Sequence, residues 1–241
     1  MCVAIVKRAH QNLTVDRPDP RLSVMDSSRH IKDLLYEQVA RIGKAASSPK
    51  RLELIELLCQ GEKTVETLAR EAAISMKLTS AHLRELRAAH LVETEKQGKY
   101  VIYRIANREV ADFWVTTRSL AEDRLVELRM VIEQMVRHPG ELAPRDRESL
   151  VKMARKGEVV VLDVRPTEEF LAAHLPFARS IPLDELKQRL AELPRDKTVV
   201  AYCRGPYCLM ARDAVELLRK KGYAALRLPE GVAEWGIVPV R

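Results

Sequence analysis

The sequence predicts two domains of different fold class: a mainly α N-terminal domain with one β-hairpin, then a C-terminal α/β domain on a parallel sheet. Three observations predict it. The 241 residues suffice for one large domain or two small ones. Apolar residues recur at helical spacing through most of residues 30–136, interrupted by two short runs that flank a glycine. Beyond the break at His138-Pro-Gly-Glu-Leu-Ala-Pro144, β-branched runs without a polar face alternate with helical segments, which is how buried parallel strands read.

Composition narrows the function classes. A hydrophobic share of 46% excludes wholesale disorder. No stretch free of charge approaches the roughly 20 apolar residues a bilayer-crossing helix needs, so no membrane partner is expected. The net charge of +7 hints at a polyanion. The two halves share it, +4 over residues 1–140 and +3 over 141–241, but the window Ser75–Arg108 alone carries +4. Its basic residues are Lys77, Arg84, Arg87, Lys96, Lys99, Arg104 and Arg108, opposed by Glu85, Glu93 and Glu95. On charge alone, that window also reads as a solvated helix face.

The elements follow in order. Met1–Val6 is apolar but precedes Lys7 and Arg8, the reverse of a secretory signal, so a reducing cytoplasm is expected. Asp16-Arg-Pro-Asp-Pro20 cannot propagate a helix, and residues 1–25 read as a flexible extension, with Met1 and Met25 both open as starts. A first helix spans His30–Ala45 (Ile31, Leu34, Leu35, Val39, Ile42). Ser48 caps a second, with Pro49 at its first position, a stripe at Leu52, Ile55 and Leu58, and Gly61 at its end. Thr64 caps a short third helix, and Ser75 a fourth, Met76–Ala89, with Leu78, Leu83 and Leu86 facing in. Strands at Leu91–Thr94 and Tyr100–Ile105 enclose a polar tip at Glu95–Lys99, and helical spacing returns over Val110–Val136. This is the order of a winged helix-turn-helix.

The residues also carry a family resemblance. "ASSPKRLELIELL" and "VETLAREAAISMKLTSAHLRELRAAHLVETEKQGKYVIYRIA" resemble the ArsR-type transcriptional regulators, in order, over about residues 30–120. The resemblance implies a recognition helix that enters the major groove of double-stranded DNA and a homodimer built by the first and last helices of a domain spanning 26–137. The candidate DNA-binding residues are Ser75, Lys77, Thr79, Ser80, His82 and Arg84 on the fourth helix, and Lys96, Lys99 and Arg104 on the wing. His82 reads either as a base contact or as a packed or capping histidine. The metal-sensing patterns are missing. Glu62-Lys-Thr-Val-Glu66 stands where a cysteine pair would be, and Asp112-Phe-Trp114 replaces Asp-x-His, so no metal is expected. Cys59 has no cysteine partner within 108–137 and reads as a small core residue.

Residues 138–146 are the expected linker and 147–241 the second domain. Strands Val159–Asp163 and Thr198–Cys203 lie among helical segments Leu150–Lys156, Glu168–Ala173, Leu183–Leu193 and Leu209–Lys221. The chemistry sits at Cys203-Arg-Gly-Pro-Tyr-Cys208. A cysteine ends a buried strand, a loop (Arg204, Gly205, Pro206, Tyr207, Cys208) follows, and a helix begins. Loop amides, the helix amino end and Arg204 would lower the Cys203 thiol below its ordinary value.

"VVVLDVRPTEEFLAAHLPFARSIPLDEL", "VVAYCRGPYC" and "LLRKKGYAALRLPEGVAEW" resemble the rhodanese domain in order and spacing. The resemblance implies that Cys203 accepts sulfane sulfur from a small donor as a persulfide and passes it to a thiol acceptor, with no cofactor. Asp163 and Arg165 match a structural D-x-R ion pair. His174 matches the family's Gly-His turn, here Ala173–Ala178 with both glycines lost. Leu209 stands where related phosphatases carry an arginine, which argues against phosphatase activity. Cys208 either attacks a Cys203 persulfide or merely packs at the helix start. Three readings of the whole remain: a DNA-binding regulator that reads sulfur or redox state, a sulfurtransferase whose helix-turn-helix dimerises or localises it, and a DNA-binding protein with an idle rhodanese scaffold. The intact cysteine loop and the basic recognition helix favour the first.

Overall fold

The computed structural model describes residues 20–135, 143 and 146–239. Most of the expected extension and linker lies outside the described residues. The chain divides at Gly43 into two compact units; the second, from Lys44 onward, holds both the winged part and the α/β part.

The first helix, α1 (Pro20–Ala46), begins inside the stretch expected as an extension, with Pro20 at its start, where a missing N–H costs nothing. α2 (Pro49–Leu58) begins after Ser48, whose side chain makes no cap, and ends at Cys59, short of Gly61. The two-residue strand β1 (Lys63–Thr64), absent from the periodicity, leads into α3 (Val65–Glu71), where Thr64 Oγ1 accepts from Thr67 N. α4 (Met76–Ala88) is capped by Ser75, which accepts from Leu78 N.

The hairpin strands β2 (Val92–Gln97) and β3 (Tyr100–Ile105) pair antiparallel from Val92–Ile105 to Gln97–Tyr100. The turn is thus two residues, Gly98-Lys99, tighter than the expected five-residue tip. Gly98 takes φ +60, as such a turn demands. β1 pairs with β3 to complete a three-stranded sheet. The expected long helix is two, α5 (Arg108–Arg124) and α6 (Val126–Met135), interrupted where Leu125 adopts an extended backbone. Leu54, Ile55, Leu58, Cys59, Leu68, Leu83, Leu86, Ile105 and Trp114 form the buried interior of this part.

The C-terminal part is a parallel sheet with strand order β5-β4-β6-β7. Central β4 (Val159–Asp163) and β6 (Thr198–Tyr202) pair over their full length. Short β5 (Arg179–Ser180) and β7 (Ala225–Arg227), too brief to show a period, close the edges. Helices α7 (Arg147–Arg155), α8 (Thr167–Ala172), α9 (Leu183–Leu186) and α10 (Met210–Lys220) flank the sheet. The helix expected over Leu183–Leu193 is only α9 and a 3-10 turn at Leu190–Glu192. One core, with Val160, Leu162, Val199, Ala201, Ala214, Val215 and Leu218, lies under α10, and Cys203 sits in it. A second, around Leu150, Val161, Val200 and Tyr202, lies on the opposite face.

Candidate functional site

Cys203 follows β6 at the carboxyl end of the sheet, where loops of parallel α/β sheets gather ligands. The loop 203–208 doubles back before α10. Gly205 has φ +153, accessible to glycine, and Cys208 N donates to Gly205 O at 3.2 Å. Gly231 lies against the loop's start: a Cβ there would meet Arg204 O at 2.5 Å and Cys203 O at 2.6 Å.

Cys203 is only 1% exposed, while Cys208 is half-buried. The Cys203 thiol faces carbonyl oxygens, donating to Cys208 O at 3.5 Å and lying 4.0 Å from Gly205 O. Burial pushes Cys203 well above its ordinary value, and its bond to Cys208 pushes the same way. The bond received from Cys203 lowers Cys208 to about 6, against the opposing effect of burial and with help from the Met210 amide. The expected low-pKa sulfur is therefore the wrong one at rest. The charge sits on Cys208, because Cys203 ends a strand inside the core, keeps its proton there and donates a hydrogen bond to its neighbour.

Asp163 and Arg165 are both fully buried and pair at 2.7 Å beside the loop. Tyr202 Oη donates to Asp163 Oδ2 at 2.5 Å and accepts from Leu175 N at 3.1 Å. His174 lies apart from the sulfurs, stacked on Phe170 with Nδ1 3.0 Å from Phe170 O. Phe177, where the family's turn carries glycine, sits at φ +63, a left-handed strain for a bulky side chain.

The Arg204 guanidinium is engaged by two carboxylates, and its charge also helps to lower the Cys208 thiol. The guanidinium binds Glu169 of α8 (2.6–3.1 Å) and Glu71 of α3 (2.9 Å). Burial alone would raise the Glu169 carboxyl, but the Arg204 and Lys63 cations hold it below its ordinary value. Lys63 reaches Glu169 at 2.7 Å and Glu71 at 3.4 Å. Gln60, completely buried after α2, accepts from Arg165 Nη1 at 3.0 Å and donates to Arg204 O at 3.3 Å. Arg118 of α5 pairs with Glu234 at 2.7 Å and lies over the Tyr207 ring at 5.6 Å. Sequence periodicity signalled none of Gln60, Glu71, Glu169, Arg118 or Glu234. Their partners lie about 35 to 144 positions away along the chain, a separation no local pattern reports.

On the winged part, Lys77, Arg84, Lys96 and Lys99 are exposed, and Ser80 and His82 are half-buried. Ser75 is spent partly on its cap. Two of the expected contact residues already hold partners within the protein. Thr79 is fully buried, its hydroxyl donating to Ser75 O at 3.0 Å, while Leu78, expected inside, is 43% exposed. Arg104 is held across the hairpin by Glu93 (2.7 Å) and Glu95 (3.1 Å). Cys59 is fully buried, and burial raises its thiol far above the ordinary range. Among the described residues no cluster of three His, Cys, Asp or Glu side chains is arranged to hold a metal. No described helix is long and apolar enough to cross a membrane.

A winged helix-turn-helix packed on a cysteine-loop α/β domain defines a two-module regulator, and comparisons with known proteins match both modules. Residues 48–94 match the model of bacterial regulatory proteins of the arsR family, and 146–237 the rhodanese-like domain. The chain is 40% identical over 204 residues to the HTH-type transcriptional regulator Rv0324 of Mycobacterium tuberculosis, covering 85% of this chain and 89% of that protein. It belongs to the arsR family of transcriptional regulators and carries a rhodanese-like domain. A probable mercury resistance operon repressor of Streptomyces lividans is 31% identical over 44% of this chain and 81% of its own length. A sulfurtransferase of Allochromatium vinosum is 32% identical over 37% of this chain and 84% of its own. A solved homodimeric winged helix-turn-helix DNA-binding domain of Mycobacterium bovis is 36% identical, with a TM-score of 0.38 over 40% of this chain and 89% of that one.

Proposed function

We propose that this regulator binds DNA as a homodimer and that its rhodanese-like domain accepts sulfane sulfur on Cys203, coupling sulfur state to DNA affinity. The observation that carries this reading is the Cys203–Cys208 pair on a loop pressed against the winged part.

The chemistry follows from the shared proton. As a sulfane donor enters, Cys203 passes its proton to the Cys208 thiolate and its sulfur attacks the donor's outer sulfur. The donor's S–S bond breaks, and its electron pair leaves with the remaining fragment: sulfite from thiosulfate, thiolate from a persulfide. Cys203 then carries a persulfide. An acceptor thiolate attacking the outer sulfur regenerates Cys203. Alternatively Cys208, deprotonated again, attacks Cys203 Sγ, expels hydrosulfide and leaves a Cys203–Cys208 disulfide. Mass and free-thiol analysis after polysulfide treatment separates the two fates, since a lasting persulfide beside a reduced Cys208 excludes the resolving role.

On the DNA side, α4 enters the major groove with Lys77, Ser80, His82 and Arg84, while Lys96 and Lys99 of the wing reach phosphates. The dimer forms through the first and last helices of the winged domain. α1 exposes Ile31, Leu35 and Val39 at helical spacing, and α5 and α6 expose Leu120, Met130 and Val131. The deciding experiment titrates an operator duplex with reduced and persulfidated protein, beside a thiosulfate-to-cyanide assay of wild type and Cys203→Ser. Equal affinities in both states would leave a sulfurtransferase whose winged part serves only dimerisation or localisation. Activity surviving in Cys203→Ser would remove Cys203 as the acceptor.

A further inference from the structure

The winged part does not merely adjoin the sulfur loop; it supplies the loop's outer contacts. α2 is followed by Gln60, which bonds both Arg165 and the Arg204 carbonyl. α5 brings Arg118, whose Nη1 lies 3.7 Å from where a Cβ on Gly205 would sit. α3 ends in Glu71, which binds the guanidinium of the residue next to Cys203. Arg204, Glu71, Glu169 and Lys63 form a closed set of two cations and two carboxylates, each at most 15% exposed at its side chain. The Lys63, Glu71 and Glu169 side chains also line a groove of about 400 Å³ between α3 and α8, where a released carboxylate would meet water.

We propose that the Glu71–Arg204 ion pair is a latch that carries the sulfur state of the loop to the recognition helix. This rests on the coupling reading above. Glu71 is the last residue of α3, and Ser75, the cap of α4, follows four positions later, so α3 and α4 move as one packed hairpin. Arg204 is bonded directly to Cys203. Loading Cys203 places an extra sulfur atom in a space where the thiol already contacts two loop carbonyls, so the loop must shift. Loading also moves the loop's negative charge from the Cys208 sulfur to the outer sulfur on Cys203, which changes the field at a guanidinium already held by two carboxylates. Glu169, almost completely buried and held by Lys63 at 2.7 Å, keeps its hold; Glu71, the more exposed of the two and 3.4 Å from Lys63, is the partner released. A released α3 leaves the helix-turn-helix less ordered, and DNA must then bear that ordering cost. By linkage, DNA in turn opposes sulfur loading.

The test uses the full chain, a duplex selected by the reduced protein from a random pool, and inorganic polysulfide as sulfur source, with loading verified by mass. Wild type should lose roughly fivefold or more in DNA affinity on loading. Glu71→Gln, which keeps the shape and removes the charge, should bind like loaded wild type in both states, its response shrinking below about twofold. Glu66→Gln, an exposed carboxylate on the same helix, should keep the full response, and equal melting of the variants when reduced confirms folding. A full response in Glu71→Gln overturns the latch and leaves coupling standing. No response in wild type overturns coupling and the latch together.

Discussion

At Cys203 and Cys208 the same loop makes two unlike sulfurs. Cys203 lies in the core beneath α10 and keeps its proton; Cys208, better exposed, takes a hydrogen bond and the charge. The alkylation rate of Cys208 should reach half its maximum near pH 6, and Cys203→Ala should move that midpoint up toward the ordinary thiol range, since the Cys203 bond is its largest cause. Iodoacetamide kinetics followed by mass spectrometry checks both. Glu56 on α2 is a second perturbed group. Its Oε1 is sealed from solvent without a hydrogen-bond partner, and burial raises its carboxyl from 4.5 to about 7. The folded state therefore holds a proton that the unfolded chain releases between those values, and stability falls as pH rises through that window. Glu56→Gln should stabilise the protein by on the order of 2 kcal/mol at pH 8 and not at pH 4, as measured by denaturant unfolding. The cysteine spacing was legible in the sequence. Which sulfur holds the proton was not, because burial decides it.

Helix α4 and the wing show how far local rules reach. The Ser75 and Thr64 caps follow from short-range chemistry and stand where the sequence places them. The inward face of α4 does not: Thr79 turns in and satisfies its hydroxyl on Ser75 O, displacing Leu78 outward. A β-branched threonine with an internal partner packs like valine, which a hydrophobicity pattern does not count. On the wing, Lys99 is exposed and Arg104 is already neutralised by two glutamates. Lys99→Ala should reduce the slope of log affinity against log salt by about 0.9, as for one lost phosphate contact, and Arg104→Ala by clearly less. Salt-dependent mobility shifts distinguish them; equal slopes would return Arg104 to the DNA surface.

Over the whole molecule, residues from Lys44 onward form one compact unit, although the sequence reads as two modules with a break between them. The seam is polar and buried: Gln60 against Arg165 and Arg204, Glu71 against Arg204, Arg118 against Glu234. Gln60→Leu strips the buried Arg165 Nη1 of its acceptor and should cost about 1–3 kcal/mol. Calorimetry of the full chain should show the winged and α/β parts melting together, with that variant lowering the shared transition; two separate transitions would mean the seam does not couple them.

The sequence by itself determined the two modules, most of their element types, the Thr64 and Ser75 caps, the cysteine loop and the family. These rest on periodicity, turn chemistry and short spacings, all written within a few residues of one another. Only the tertiary structure decided that the winged part is seated on the sulfur loop, that Arg204 serves a carboxylate from α3, and that the resting charge lies on Cys208. Each depends on burial and on partners distant along the chain, and a group's charge and contacts are set by what surrounds it in space.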